Sequence, residues 1–299
     1  GVSAHRGNRS LFLIMPASPS VIDAHHHLWH YSAIEYGWID DRMAALRRDF
    51  LPTDFINELA SAGIDGAVTV QVRQTLEETQ WLLELAAKHK EILGVVGWAP
   101  ISSAYFENSL NALSTNPKLV GLRHVVQAEP QGFLDNEDFN RGIRALRGTD
   151  LVYDILIFEH QLAEAIRFAD RHPQQVFVLD HIAKPKIEAG ELEPWSTQIR
   201  ELSKRSNVCC KVSGMVTEDS WSNWSIDSLS PYLDTVVDAF GAHRLLAGSD
   251  WPVCLVAANY MQWWQLLRDY FAPFSADERA DIFGATAVKI YNLNTGRPE

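Results

Sequence analysis

A chain of 299 residues with 46% apolar side chains is long enough for one large core or two modest ones, and too apolar to be disordered over most of its length. Its 38 acidic against 26 basic side chains give a formal charge of −12, which argues against nucleic acid or an anionic membrane as partner and leaves small neutral or polar molecules as ligands. Three cysteines, Cys209, Cys210 and Cys254, match neither a disulfide framework nor a zinc knuckle, which fits a reducing, cytoplasmic setting.

Residues 1–20 read as a flexible N-terminal tail, either a cloning remnant or a frayed arm. The apolar run from Leu11 to Met15 is too short to cross a bilayer and is followed by Pro16 and Pro19. From Val21 onward, short β-branched runs alternate with longer amphipathic ones, the pattern of crossover helices covering a parallel sheet. Strands are predicted at 22–25, 66–72, 93–98, 120–125, 152–158, 176–181, 208–213 and 245–250. Helices are predicted at 54–62, 79–88, 106–113, 138–146, 162–170, 195–204, 231–240 and 260–270, each with apolar residues three or four apart.

Punctuation agrees with these bounds. Thr53 or Asp54 is placed to cap the helix after Pro52, Asp135 or Asn136 to cap a later one, and Gly63 and Gly241 sit where helices should stop. Eight such units predict an α/β fold, a (β/α)8 TIM barrel over residues 21–299 in a single domain; an open doubly wound sheet is the alternative. A last helix around 276–283, continuing to 290, is expected to pack on the outside.

Polar residues gather at the predicted strand exits. His25 and His27 are two apart, so on a strand they share a direction, whereas His26 faces the other way. His181 ends the sixth strand and Asp250 the eighth. In a barrel the C-terminal strand ends face one mouth, so all four would meet there, suited to a metal or a water. Asp250 is the best candidate for a base that removes a proton from water. Arg123, His124, Gln71 and Lys211 also lie at strand ends; a cation buried inside a barrel needs a carboxylate partner, for which Asp154 is placed, or an oxygen-rich ligand. Among ten tryptophans, Trp29, Trp98, Trp221, Trp224 and Trp251 lie in or beside mouth loops, where indole faces suit sugar-like rings, and the 221–224 loop is the candidate lid.

These motifs resemble the amidohydrolase superfamily. Asp23-Ala24-His25-His26-His27-Leu28-Trp29, Gly121-Leu122-Arg123-His124, Leu179-Asp180-His181-Ile182-Ala183-Lys184-Pro185, Cys210-Lys211-Val212-Ser213-Gly214 and Gly248-Ser249-Asp250-Trp251-Pro252 are similar to the group of sugar-acid lactonases and 2-pyrone-4,6-dicarboxylate lactonase, most of all to the L-fuconolactone and L-rhamnonolactone hydrolases. The resemblance implies hydrolysis of a sugar-acid lactone to the open acid. It implies Asp250, His181 and His124 as catalytic side chains and Arg123, Trp29, Gln71, Lys211, Trp98 and Trp251 as substrate contacts. It also implies one divalent ion, zinc, at His25, His27, His181 and Asp250, dispensable in some relatives. Asp154 and Phe158 stand where many relatives carry a Lys, His or Glu ligand, which argues against a two-metal site. The alternatives are a zinc-dependent decarboxylase of the same superfamily, with Arg123 or Lys211 holding a carboxylate, and a non-catalytic sugar-acid binder.

Overall fold

The structure, a computed structural model, describes residues 19–296; the greater part of the expected tail, 1–18, lies outside them. Eight parallel strands follow in chain order: β1 Ile22–His26, β2 Gly66–Val70, β3 Ile92–Gly97, β4 Leu119–His124, β5 Val152–Ile155, β6 Phe177–Leu179, β7 Val208–Val212 and β8 Leu245–Ala247. Each pairs with the next. The ring closes beyond the end of β8, where the Asp250 N–H donates to the His25 carbonyl at 2.8 Å and the His27 N–H to the Trp251 carbonyl at 2.7 Å. The expected (β/α)8 barrel is therefore the fold.

Eight crossover helices cover the ring: α1 Pro52–Ala62, α2 Leu76–Lys88, α3 Phe106–Leu113, α4 Glu137–Ala145, α5 Leu162–Arg171, α6 Trp195–Leu202, α7 Ile226–Phe240 and α8 Tyr260–Phe271. Their apolar faces bury Phe55, Leu82, Phe139, Phe168, Leu233 and Leu267 against the outward strand residues. The inward ones, mostly valines such as Val68, Val70, Val96, Val152 and Val178, fill the barrel. Asn136 caps α4 as expected, and Gly63 ends α1 in the left-handed conformation. The start of α1 differs from expectation. Leu51 holds the cap position and Asp54, three residues on, accepts the Leu51 N–H at 3.0 Å, so the carboxylate works from inside the helix.

Two differences matter for the site. Strands β6 and β8 stop at Leu179 and Ala247, before His181 and Asp250, because both residues turn left-handed, at φ +52° and +56°. The C-terminal segment does not simply pack outside. It runs as α9 Ala276–Ala280, a π-turn over Asp281–Ala285 and α10 Thr286–Ile290, and it sends Ala287, Tyr291 and Leu293 into the apolar interior of the ring. That plug seals the end opposite the mouth with apolar surface that an outward-facing helix would have exposed. No helix among the described residues is long and apolar enough to cross a membrane.

Candidate active site

The register of β1 against β2 shifts between Asp23 and His26. Asp23 faces outward, while His25 and His27 both turn into the mouth. His26 points away, its Nε2 2.7 Å from Thr69 Oγ1 and its ring stacked on Phe55 with centroids 3.6 Å apart. Asp23 fastens the outer side of this junction: its carboxylate accepts from the Ser249 N–H at 2.9 Å, the Ser249 hydroxyl at 2.6 Å and the Tyr260 hydroxyl at 3.0 Å. Burial nevertheless pushes the Asp23 carboxyl up to about 6.

The four central side chains meet. His25 Nε2 and His27 Nε2 are 3.1 Å apart, and Asp250 Oδ1 lies 3.2 Å from His27 Nε2, 3.7 Å from His25 Nε2 and 3.8 Å from His181 Nε2. The His27 Nδ1–H donates to the Val70 carbonyl at 2.8 Å, which leaves Nε2 as an acceptor facing the Asp250 carboxylate. Two acceptors so close need a proton or a cation between them. That is the observation by which these residues fit a metal, and ligand atoms of His25, His181 and Asp250 all lie within 4.8 Å of one another. Burial alone would raise the Asp250 carboxyl, but His181 and His27 outweigh it and hold it below the ordinary carboxylate range. Burial pushes His181 down to about 4, so its ring is neutral near pH 7.

His181 is held from two sides. Its Nδ1 lies 2.8 Å from Ser213 Oγ, and the backbone of Gly214 passes so near that a Cβ there would stand 2.6 Å from Nδ1. Residues His181, Ile182, Ala183 and Lys184 form a run of four left-handed residues without a glycine. At roughly 1–2 kcal/mol each, such a run persists only where packing overrides it. Here Ile182 and Ala183 are wholly buried and the Trp195 indole N–H donates to the Ile182 carbonyl at 2.7 Å.

Beneath the imidazoles lies a floor of paired charges. Arg123 donates to Gln71 Oε1 through Nε at 3.0 Å and Nη2 at 2.8 Å, and to Asp180 Oδ2 through Nη1 at 2.9 Å. Lys211 Nζ is 2.6 Å from Asp154 Oδ2 and 3.0 Å from Asp180 Oδ1, and Asp154 accepts the Tyr291 hydroxyl at 2.8 Å. Burial raises Asp154 to about 6 despite Lys211, whereas Lys211, His25 and Arg123 overcome burial to keep Asp180 well below the usual range. Asp154 is thus the partner of Lys211. The partner of Arg123 is Asp180, which the sequence reading passed over although strand alternation from inward-facing Val178 points to it.

The remaining candidates fall elsewhere. His124 Nδ1 accepts from the Trp98 indole at 3.2 Å and its Nε2–H donates to Glu129 at 2.7 Å, so both ring nitrogens are engaged away from the central four. Trp98 itself is half-buried. Trp29 and Trp251, expected to touch substrate, are completely buried: Trp29 donates to the Arg48 carbonyl and packs on Phe50, and Trp251 lies against Phe50 and Phe55. Their apolar faces are spent on the core, so neither offers one to a ligand. Trp221 and Trp224 of the candidate lid donate to the Thr217 and Ala257 carbonyls, which fastens that loop down. Glu218, overlooked in the sequence, is raised by burial and feels both Lys184 and Asp250.

A family model described as amidohydrolase matches residues 22–293. An L-fucono-1,5-lactonase of Burkholderia multivorans is 39% identical over 285 residues, 91% of this chain and 96% of that protein. An L-fucono-1,5-lactonase of Burkholderia ambifaria is 34% identical with the same coverage. A crystal structure of an amidohydrolase from Burkholderia multivorans with bound zinc superposes with a TM-score of 0.88 at 37% identity, covering 92% of this chain and all of that one. With the match running from the first strand to the barrel plug, the chain belongs to the amidohydrolase family.

Proposed function

We propose that this protein is a lactonase that opens a sugar-acid lactone to the free acid, with Asp250 as the base that activates water. The supporting observation is the Asp250 carboxylate, ionised and ringed by three imidazoles at the mouth of the barrel. The 39% identical relative named as an L-fucono-1,5-lactonase supports the substrate class. Water adds to the lactone carbonyl as Asp250 takes its proton; the ring C–O bond then breaks and Asp250 returns the proton to the departing ring oxygen. Neutral His181, fixed by Ser213, orients the water or the carbonyl. Residues His25, His181 and Asp250 would hold a zinc ion, with His27 alongside, and when bound the ion supplies Lewis-acid polarisation. Arg123, Gln71 and Lys211 build the floor, and Trp98 and His124 line the rim. Residues 21–299 act as one domain, and three buried free thiols suit the cytoplasm.

The decarboxylase alternative needs a cation free to grip a substrate carboxylate, and Arg123 and Lys211 are both already paired below the imidazoles. A panel of L-fucono-, L-rhamnono- and L-galactonolactones followed with a pH dye tests the reading directly. Acid release is expected, and carbon dioxide release from an aromatic acid without lactone opening would overturn it.

Two further results are expected. The working forms of Asp250 and His181 both lack a proton and both are held low, so acid is what removes them. The rate should stay level from about pH 8 to about pH 5 and fall below that, with circular dichroism confirming that the fold persists. Gly214→Ala should drive a Cβ into the His181 ring and force a side chain onto φ +63°. A loss of about 10- to 100-fold in kcat is expected, with roughly 1–2 kcal/mol of stability lost. Steady-state kinetics and a thermal melt on the same preparation check it.

A further inference from the structure

Strands β5, β6 and β7 are neighbours in the ring, and the loops that leave them carry Phe158, Lys184 and Glu218. The three loops are joined. The Glu188 N–H donates to the Glu218 carbonyl at 3.0 Å, and the Lys184 Nζ stands 5.6 Å from the centre of the Phe158 ring. Lys184 closes the left-handed run that begins at His181, with φ +47°, and Pro185 stiffens the chain beyond it. The packing that fixes His181 therefore fixes the root of this ammonium as well.

Neither charge is spent. Both residues are half-buried, yet among the described residues the Lys184 Nζ has no hydrogen-bond acceptor or ion-pair partner and the Glu218 carboxylate has no donor. They lie within electrostatic reach of each other and of the base. Burial raises the Glu218 carboxyl while Lys184 lowers it, and burial raises that of Asp250 while His181, His27 and Lys184 lower it. Arg123 and Lys211, in the floor, are by contrast already paired. An ammonium only donates hydrogen bonds, an ionised carboxylate only accepts them, and a hydroxyl group does both. Adjacent hydroxyls can satisfy the two together, whereas a substrate carboxylate drawn to Lys184 would be repelled by Glu218.

We propose that Lys184 and Glu218 form a hydroxyl-binding subsite beside Asp250, which selects a polyhydroxylated lactone over a bare one and over an anionic substrate. This rests on the lactonase reading and gives it a source of selectivity. Lys184 donates to hydroxyl oxygens of the substrate and Glu218 accepts from hydroxyl protons. Neither residue gives or takes a proton in the reaction; they hold the ring while Asp250 handles the water.

The test compares L-fucono-1,5-lactone with δ-valerolactone, a lactone ring without hydroxyls. Lys184→Met and Glu218→Leu remove the polar groups at comparable bulk, and Met is no more strained than Lys at φ +47°. The ratio of kcat/KM for the sugar lactone to that for δ-valerolactone is expected to fall about 10- to 100-fold in each variant, the worth of one hydrogen bond to a charged group. An unchanged ratio, with both lactones slowed alike, would mean that the two charges act only on Asp250, and would overturn the proposal. Lys186→Met removes a cation of the same loop that is paired with Glu159 and Glu191, and should leave the ratio as it was; an equal fall there would also refute it. Calorimetric binding of L-fuconamide, an open and uncharged analogue, needs no turnover and decides the matter if δ-valerolactone reacts too slowly to measure. Its affinity should drop by about the same factor in each variant. No binding by the wild-type protein, or undiminished binding by either variant, overturns the subsite. A wild-type protein that binds the amide but opens no lactone refutes the lactonase reading instead.

Discussion

Asp250→Asn should yield a folded barrel that hydrolyses lactone about a thousandfold more slowly than the parent, the scale expected when a positioned general base is removed. The amide fills the same volume, and Asn tolerates the left-handed backbone that Asp250 adopts at φ +56°. The Asp250 N–H donates to the His25 carbonyl from the backbone, so ring closure does not depend on the carboxylate. The loss should therefore fall on kcat and not on the melting temperature. It should also exceed the effect of His124→Gln, whose ring nitrogens are bonded to Trp98 and Glu129 outside the central four. Normal hydrolysis by Asp250→Asn would remove this residue from the role of base.

The second large effect concerns stability. Asp180→Ala leaves Arg123 in the floor of the site without its carboxylate and Lys211 with Asp154 alone. Removing one partner from a buried ion pair costs roughly 3–5 kcal/mol, because the charge left behind has lost its water as well as its partner. A fall of roughly 5–8 °C in melting temperature follows from that figure for a chain of this size. Asp135 makes the useful contrast. It pairs with Arg167 and Arg171, but on the surface, where water and salt screen the interaction, and its replacement by alanine should cost about 1 kcal/mol or less. Equal losses for the two variants, measured by denaturant unfolding, would show that the floor charges are not the buried pairs described above.

Much of this architecture is legible in the sequence because it follows from short-range periodicity. The alternation of β-branched and amphipathic runs locates all eight strands and their helices, and the spacing of His25 and His27 with the strand exits at His181 and Asp250 yields the central cluster before any coordinates. What escapes is set by the third dimension. The left-handed run from His181 to Lys184 contains no glycine to announce it, because buried neighbours impose it. Trp29 and Trp251 have the same composition cues as a ligand platform, and only the direction of their rings, into Phe50 and Phe55, separates packing from binding. Tyr291 lies 137 residues from the Asp154 it contacts, and no local pattern couples them.

The hydrogen bonds that close the ring are made by the residues flanking the chemistry: His25 and His27 on one side, Asp250 and Trp251 on the other. The seam of the barrel and the reaction centre are thus one structure, joining chain ends more than two hundred residues apart in sequence. Such a distant union comes at high entropic cost and late in assembly. Until the last strand docks on the first, the base and the imidazoles of the first strand have no shared location, so a chain that stops short of that strand has no reaction centre to assemble.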